Sequence, residues 1–361
     1  MTKKSATTVE LSRRPIQTKA YAARNATSPL TPYSFERRAP RPDDVVIEIS
    51  HCGICHSDIH TARGEWGEPH YPCVPGHEIV GTVTAIGKKV KRFKVGDLAG
   101  VGCFVDSCGK CENCKDGEEM LCLKGCSFTY NSTEMDRTTP TQGGYSSHIV
   151  VKDKYALKIK KGLPLERVAP LLCAGITTYS PLKRFKVKKG SKVGVVGLGG
   201  LGHMAVKLAK AMGAEVTVFS TSPGKEQDAK RLGAKNFVIT THPENFESVA
   251  GKLDLIIDTV AAEHDFSPYL STLKKGATHV LVGAAPKPNH FSAQALIFGR
   301  KQLAGSLIGG LKETQEMLDF CAQKKVFSDV EVIPVEKINE AYERMIKSQV
   351  KYRFVIDMKT L

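Results

Sequence analysis

The stretch from His51 to Glu78 gathers the residue types that do chemistry. His51-Cys52-Gly53-Ile54-Cys55-His56-Ser57-Asp58-Ile59-His60 and then Pro75-Gly76-His77-Glu78 place thiols, imidazoles, a hydroxyl and carboxylates within 28 residues. That mixture is what a borderline-soft metal such as zinc selects. Cys55 and His77 stand 22 positions apart. With Cys173 added they would make a Cys₂His site whose fourth position is open to water or substrate, the pattern of catalytic zinc. Glu78 is placed to occupy that position when substrate is absent. Asp58 is close enough along the chain to orient a ligand. The competing reading is that a lone Cys or His is a core residue.

A second group speaks through spacing alone. Cys108, Cys111, Cys114 and Cys122 are separated by gaps of two, two and seven residues. One loop can then wrap four thiolates around a tetrahedral Zn²⁺, with Gly109 and Gly117 easing the turns. Four thiolates leave no open coordination position, so this metal is structural. An iron–sulfur cluster uses the same ligands, and spacing does not separate the two.

A third signal is Gly197-Leu198-Gly199-Gly200-Leu201-Gly202, which fits G-x-G-x-x-G. The match has meaning because a strand, Lys192 to Val196, precedes it, and because Leu201, Ala205, Leu208, Ala209 and Met212 then mark one face of a helix closed by Gly213. Gly197 permits the tight turn, Gly199 lets backbone approach a pyrophosphate, and Gly202 lets the helix pack on the sheet. The helix N-terminus presents free N–H groups to the phosphates. An Asp or Glu at the end of the second strand would select NAD. Here the strand ends in Ser220-Thr221-Ser222-Pro223-Gly224-Lys225, hydroxyls and a cation that can bind a 2′-phosphate, so NADP(H) is the expected cofactor.

These residues need a scaffold. Val45 to Ile49 reads as a strand that delivers the chain to Cys55; Ile79 to Gly87, with its glycines, reads as a strand with a bend or bulge, and another follows the Gly96-Asp97 turn. Up to about residue 160 the chain is mostly β. From near Leu163 strands alternate with helices, with strands expected at Glu215–Phe219, Leu253–Ile257, Thr278–Val282 and Gln302–Ile308 and helices at Lys225–Leu232 and Phe266–Leu273. That alternation means a parallel sheet with covering helices. Amphipathic helices at Lys312–Gln323 and Ile338–Lys347 and a final strand at Arg353–Ile356 complete the reading.

The chain has 361 residues, which suggests two domains. Its net charge of +15 invites a nucleic-acid reading. The cations are scattered without an aromatic-interleaved stripe, so no nucleic-acid partner is expected. No apolar run approaches the roughly 20 residues of a bilayer span, and Met1 to Lys19 lacks an apolar signal region and reads as a loose tail. Eleven cysteines, an odd number with four at metal spacing, fit a reducing cytoplasm better than a disulfide framework.

Cys55, His77-Glu78, the four-cysteine lobe, Cys173-Ala174-Gly175-Ile176-Thr177-Thr178-Tyr179-Ser180-Pro181 and Gly197 to Gly202 together resemble the zinc-dependent medium-chain alcohol dehydrogenases, in particular the cinnamyl alcohol dehydrogenase branch with its NADPH-dependent aldehyde reductases. The resemblance implies an α/β protein in which a GroES-like β-rich catalytic domain (1–162, with the structural zinc lobe at 103–126, and 305–361) surrounds a Rossmann domain with a doubly wound parallel sheet (163–304). It implies catalytic zinc on Cys55, His77 and Cys173, with Glu78 as exchangeable fourth ligand, hence two zinc ions per chain. Cys52 is then a buried thiol. Ser57 is implied as the hydroxyl touching the substrate oxygen and His60 as the outer end of a proton relay. His56, Thr177, Ser220, Thr221, Ser222, Lys225, Thr259, Gly283, Ser306, Leu307 and Ile308 match cofactor-contacting positions.

The implied reaction is hydride transfer between NADP(H) and an aldehyde or primary alcohol, in a homodimer built through the Rossmann domain or a tetramer. Three features depart from the family pattern. Gly224 stands where a second basic residue is usual, the tail before Lys19 is longer than needed, and the segment near Trp66 and Phe128 to Tyr145, which lines the substrate site in such enzymes, does not identify a substrate. The rival readings are an NAD-dependent alcohol or polyol dehydrogenase of the same fold, and a basic zinc protein that contacts nucleic acid through the Cys108 to Cys122 lobe. The second leaves the Gly197 to Gly202 unit without a purpose.

Overall fold

Val45, Val46, Ile47 and Ile49 are all at most 4% exposed, and the strand they build, β3 (Asp44–Gly53), is paired along both edges. The computed structural model describes residues 14–361. The chain divides into two units, Met1–Leu172 with Val330–Leu361, and Cys173–Asp329. No helix among the described residues is long and apolar enough to cross a membrane.

The first unit begins with an antiparallel hairpin of β1 (Ile16–Ala22) and β2 (Thr31–Arg37). Thr18, Ala20 and Ala22 bury one face at the period of two that a half-covered strand requires. The expected loose tail is therefore corrected: Ile16 to Lys19 are paired in β1, and residues 1–13 of that tail lie outside the described residues.

The main sheet contains β4 (Ile79–Ile86), β5 (Leu98–Val101), β10 (His148–Lys152), β11 (Leu157–Lys158), β18 (Val330–Pro334) and β19 (Arg353–Asp357). Their order is β11-β5-β4-β3-β19-β18, with β10 also paired to β3. The register between β3 and β4 shifts twice: Ser50 is the extra residue on β3, and Thr84 is the extra residue on β4, the glycine-punctuated strand expected to bend or bulge. α1 (His56–Ala62) leaves the end of β3. β6 (Phe104–Asp106) and β7 (Ser127–Phe128) pair antiparallel and close the base of the cysteine loop, which contains the single turn α2 (Glu112–Lys115). β8 (Ser132–Thr133) and β9 (Pro140–Thr141) make a small hairpin. α3 (Leu165–Val168) follows, and α10 (Ile338–Ile346) buries Ile338, Ala341, Tyr342 and Met345, one helical face.

The second unit is built on a six-stranded parallel sheet, ordered β14 (Asn236–Ile239), β13 (Glu215–Ser220), β12 (Lys192–Val196), β15 (Leu253–Asp258), β16 (Leu273–Leu281) and β17 (Gln302–Gly305). Val193, Val195, Val216, Val218, Ile256 and Ile257 are all 0% exposed, as strands covered on both faces demand. α4 (Ala174–Arg184), α5 (Gly200–Ala211), α6 (Glu226–Leu232), α7 (Ser267–Thr272), α8 (Ala293–Ile297) and α9 (Leu311–Lys324) are its helices. β12 lies between β13 and β15, so the chain reverses its direction of travel across the sheet there. In doubly wound sheets that reversal point is where ligands bind.

The units change over at 172/173 and 329/330, later than the expected 162/163 and 304/305. The physical reason lies in packing. Val168 to Leu172 are buried beside β3, β4 and β5, while α9 packs on α4.

Candidate active site and metal centres

β3 ends where the Ile54 N–H donates to the Phe354 carbonyl at 2.9 Å, and Cys55 then caps α1. Ring-like anchoring around Asp58 fixes this corner. Asp58 is fully buried, and its carboxylate accepts from the Cys55 N–H at 2.8 Å, the Gly76 N–H at 3.0 Å and the Tyr145 hydroxyl at 2.9 Å. The His77 Nδ1 lies 3.6 Å from the same carboxylate. The expectation that Asp58 orients a ligand thus has a physical form: one side chain ties together the loops that carry Cys55 and His77.

Gly76 takes φ +105°, a left-handed turn that glycine adopts without strain, and presents His77 next in the chain. The His77 ring stacks on Tyr130 with centroids 5.7 Å apart. Cys173 follows directly on Leu172, whose carbonyl is reached by the Cys103 thiol at 3.7 Å.

Cys55, His77, Glu78 and Cys173 are all buried, and each offers a ligand atom within 4.8 Å of the others. Two of those atoms lack any hydrogen-bond partner, His77 Nε2 and Glu78 Oε2. Buried polar atoms left without partners cost about 1–3 kcal/mol each, so their convergence on one point fits a cation there. Electrostatics agree. Burial lowers the proton affinity of His77, yet the surrounding Cys103, Asp58 and Cys55 outweigh it and bring the imidazole up to about 10. A field that holds a proton so firmly also favours a metal cation. Glu78 spends its other oxygen, Oε1, on Arg353 of β19, in an ion pair whose side chains are 0% and 3% exposed. Gly53 is shaped for this arrangement, since a Cβ there would come within 1.9 Å of Glu78 Oε2.

The second cysteine group also converges. Sγ of Cys108 lies 3.9 Å from that of Cys114, and Sγ of Cys111 4.0 Å from that of Cys122. A tetrahedron with Zn–S bonds of about 2.3 Å has edges of about 3.8 Å. Backbone N–H groups of Lys110 and Cys111 point at the Cys108 sulfur and bring its thiol down to about 6. The residues fit a closed Cys₄ site. Among the described residues, which include every cysteine, none is joined in a disulfide.

Ser57 lies one residue into α1, with its hydroxyl 3.6 Å from the Cys55 sulfur. His56 is exposed. His60 contacts Glu65 through Nδ1 and stacks on Trp66 at 4.9 Å. Tyr145 departs from the expectation of a substrate-lining segment, because it is 0% exposed and donates to Asp58.

In the second unit, Gly197 takes φ +86°, and its N–H donates to the Phe219 carbonyl at 2.9 Å. A Cβ on Gly202 would lie 2.2 Å from the Gly197 carbonyl oxygen, whereas one on Gly199 would meet nothing within 4 Å. Gly202 therefore serves helix–strand packing, and Gly199 leaves open space at the N-terminus of α5. Leu198 is buried, and Gly200 and Leu201 begin the helix. Ser220 is buried at the end of β13, and Thr221 and Ser222 are exposed beyond it. Lys225 has no ion-pair partner among the described residues and is free to meet an anion.

Thr259 donates its hydroxyl to the Val196 carbonyl at 2.7 Å. A Cβ on Gly283 would collide with the Val260 carbonyl at 2.4 Å. The Ser306 N–H bonds the Leu281 carbonyl, Leu307 is 48% exposed, and Ile308 takes φ +49°, so the expected strand through Ile308 stops at Gly305. Thr177 lies in the first turn of α4, its N–H on the Cys173 carbonyl.

Sequence reasoning missed Arg353, Glu65, Tyr130 and His203. Glu65 has a local signal, lying one turn beyond His60 in a Gly-flanked bend. Arg353 sits 275 positions from Glu78, and nothing in the sequence joins them. His203, fully buried in α5, bonds the Gly200 carbonyl at 2.7 Å and the Ser328 hydroxyl at 3.0 Å.

A closed thiolate site, a mixed sulfur–imidazole–carboxylate cluster and a glycine loop at the reversal point of a parallel sheet define a zinc-binding dehydrogenase. The chain belongs to the zinc-binding alcohol dehydrogenase family: residues 41–161 match the alcohol dehydrogenase GroES-like domain, and residues 200–323 match the zinc-binding dehydrogenase domain. It is 54% identical over 343 residues to NADP-dependent alcohol dehydrogenase C 1 of Mycolicibacterium smegmatis, covering 95% of this chain and 98% of that one. It is 52% identical to the aldehyde reductase YahK of Escherichia coli, covering 95% and 99%. A solved cinnamyl alcohol dehydrogenase of Sorghum bicolor superposes with a TM-score of 0.92 at 45% identity, covering 95% of this chain and 98% of that one.

Proposed function

We propose that the chain catalyses reversible hydride transfer between NADP(H) and a primary alcohol/aldehyde pair, acting chiefly as a reductase of aromatic or medium-chain aldehydes. The observation that carries this reading is the buried Cys55, His77, Glu78 and Cys173 cluster with its two unpartnered ligand atoms. Cys55, His77 and Cys173 would hold a catalytic zinc, with Glu78, paired to Arg353 through its other oxygen, as an exchangeable fourth ligand. Cys108, Cys111, Cys114 and Cys122 would hold a structural one.

When bound, the zinc supplies Lewis acidity toward the substrate oxygen and NADP(H) supplies or takes up the hydride. The Ser57 hydroxyl gives its proton to the substrate oxygen in reduction and regains one from the side of His60. Asp58 and Tyr130 hold the His77 ring in place, which limits reorganisation during the reaction. Ser220, Thr221, Ser222 and Lys225 offer the 2′-phosphate hydroxyls and a cation where an acid would repel it. The aldehyde reductase and NADP-dependent relatives support both assignments; a homodimer is part of the same proposal.

A panel of aldehydes and alcohols, followed by NADPH and NADH absorbance, tests the proposal. The expected result is kcat/KM at least tenfold higher with NADPH; equal values with both cofactors, or turnover of polyols only, would select the NAD-linked reading.

A further inference from the structure

Two histidines converge on one carboxylate at the end of β15. Asp258 is 1% exposed, so its charge must be answered from inside the protein. Its Oδ1 accepts the Val260 N–H at 3.1 Å, and its Oδ2 accepts from Nε2 of His264 and from Nε2 of His279, both at 2.9 Å. The two rings differ in what meets their other nitrogen. Nδ1 of His279 is buried and has no hydrogen-bond partner among the described residues, so this ring brings a hydrogen bond without a charge. Nδ1 of His264 lies 2.8 Å from the Ala262 carbonyl. A carbonyl and a carboxylate only accept, so His264 donates from both nitrogens, which an imidazole does only as the cation.

The pair encloses a loop. Residues 259–263 leave β15 beside β12, where the chain reverses across the parallel sheet. On one side a Cβ on Gly197 would come within 3.0 Å of the Thr259 hydroxyl, and on the other a Cβ on Gly283 would lie 2.4 Å from the Val260 carbonyl oxygen. The His264 ring, packed edge to face with Phe266 at 4.9 Å and Tyr269 at 5.7 Å, ties the end of this loop back to its start. The other charges beside it are Asp265, whose carboxylate accepts the Ser267 N–H at 2.8 Å, and Glu263, which faces His290 at 3.1 Å. Burial weakens the hold of His264 on its proton, but Asp258, the Ala262 carbonyl and Asp265 outweigh it and raise the imidazole above its usual value.

We propose that His264 is a positioning residue for the cofactor: as a cation clamped between Asp258 and the Ala262 carbonyl, it fixes the 259–263 loop as a preformed wall that presents Thr259 to NADP(H). The inference rests on the NADP(H) site of the proposed function. Loss of the proton turns a lone pair toward one of the two acceptors and opens the clamp. Cofactor affinity is therefore full near pH 6.5, the ordinary histidine value, and falls as pH rises through the higher value that His264 holds in the fold.

The test is titration of the zinc-loaded enzyme with NADPH between about pH 6 and 9, with steady-state kinetics alongside. His264→Gln keeps one donor toward Asp258 but removes the charge and the bond to Ala262. At about pH 6.5 it should weaken Kd for NADPH about tenfold, the size of one charge-assisted hydrogen bond, with kcat changed by less than about twofold. The ratio of variant to parent Kd should shrink toward one as pH rises, and taking the ratio cancels the titration of the cofactor's own phosphate. Equal affinities at the low end, or a ratio constant across the range, would overturn the proposal. In the parent itself, ¹⁵N NMR near pH 7 should show both His264 nitrogens protonated; a neutral ring would overturn the proposal whatever the variant does. A parent that binds no NADPH at any pH would overturn it by another route, by removing the cofactor reading on which it rests.

Discussion

Arg353 and Glu78 form an ion pair in which both side chains are almost wholly buried, although 275 positions separate them in the sequence. The strand β19 thus neutralises a carboxylate of the candidate metal centre. Burying such a pair is near neutral overall, but removing one partner strands the other charge, at a cost of about 3–5 kcal/mol. Arg353→Ala should therefore lower the unfolding free energy by that order in urea titrations. Loss below 1 kcal/mol would mean that Glu78 finds its counter-charge elsewhere.

Two glycines of one loop should fail in different ways. Gly202→Ala places a methyl 2.2 Å from the Gly197 carbonyl oxygen, so backbone must shift, and the variant should lose about 1–3 kcal/mol of stability. Gly199→Ala meets nothing within 4 Å and should fold like the parent, yet bind NADPH at least tenfold more weakly because the methyl fills the space a pyrophosphate needs. Calorimetric unfolding and dinucleotide titration separate the two outcomes.

Lys225→Ala should raise KM for NADPH about tenfold or more while leaving KM for NADH nearly unchanged, since only the 2′-phosphate is lost to it. Steady-state kinetics with both cofactors decides this. A parallel rise for both would remove Lys225 from the phosphate site.

His203 gives the unit built on the parallel sheet a pH dependence. Burial, aided by Lys207, depresses its imidazole from the usual 6.5 to about 4. The unfolded chain binds a proton in this window that the folded chain refuses, so stability is fully present above about pH 6.5 and falls as pH drops toward 4. By pH 5 the loss should reach roughly 2 kcal/mol relative to pH 7. Urea unfolding at the two pH values checks the size. His203→Gln should flatten that difference.

The parts legible in the sequence are those whose chemistry forces residues close together along the chain. Four thiolates on one loop announce themselves through Cys108, Cys111, Cys114 and Cys122, and the strand–glycine–helix unit at Lys192 to Ala211 appears where expected. Even there the buried surface of α5 is wider than its apolar stripe, because Met204 and Val206 are also 0% exposed under flanking helices. Helix α4 carries Gly175, two threonines and Pro181, so propensity conceals it and only packing makes it a helix. The Asp58–Tyr145 and Glu78–Arg353 contacts join side chains 87 and 275 positions apart, which only the folded first unit brings together. No local pattern encodes them.

The central claim is that a zinc ion on Cys55, His77 and Cys173 activates the substrate. Its most direct test is zinc content measured together with NADPH-dependent aldehyde reduction in the parent and in Cys55→Ala. The two clusters should give two zinc ions per chain in the parent and one in the variant, whose kcat/KM should fall at least a thousandfold with its fold intact. A variant that loses that ion and keeps more than a few per cent of the parental turnover would contradict the account.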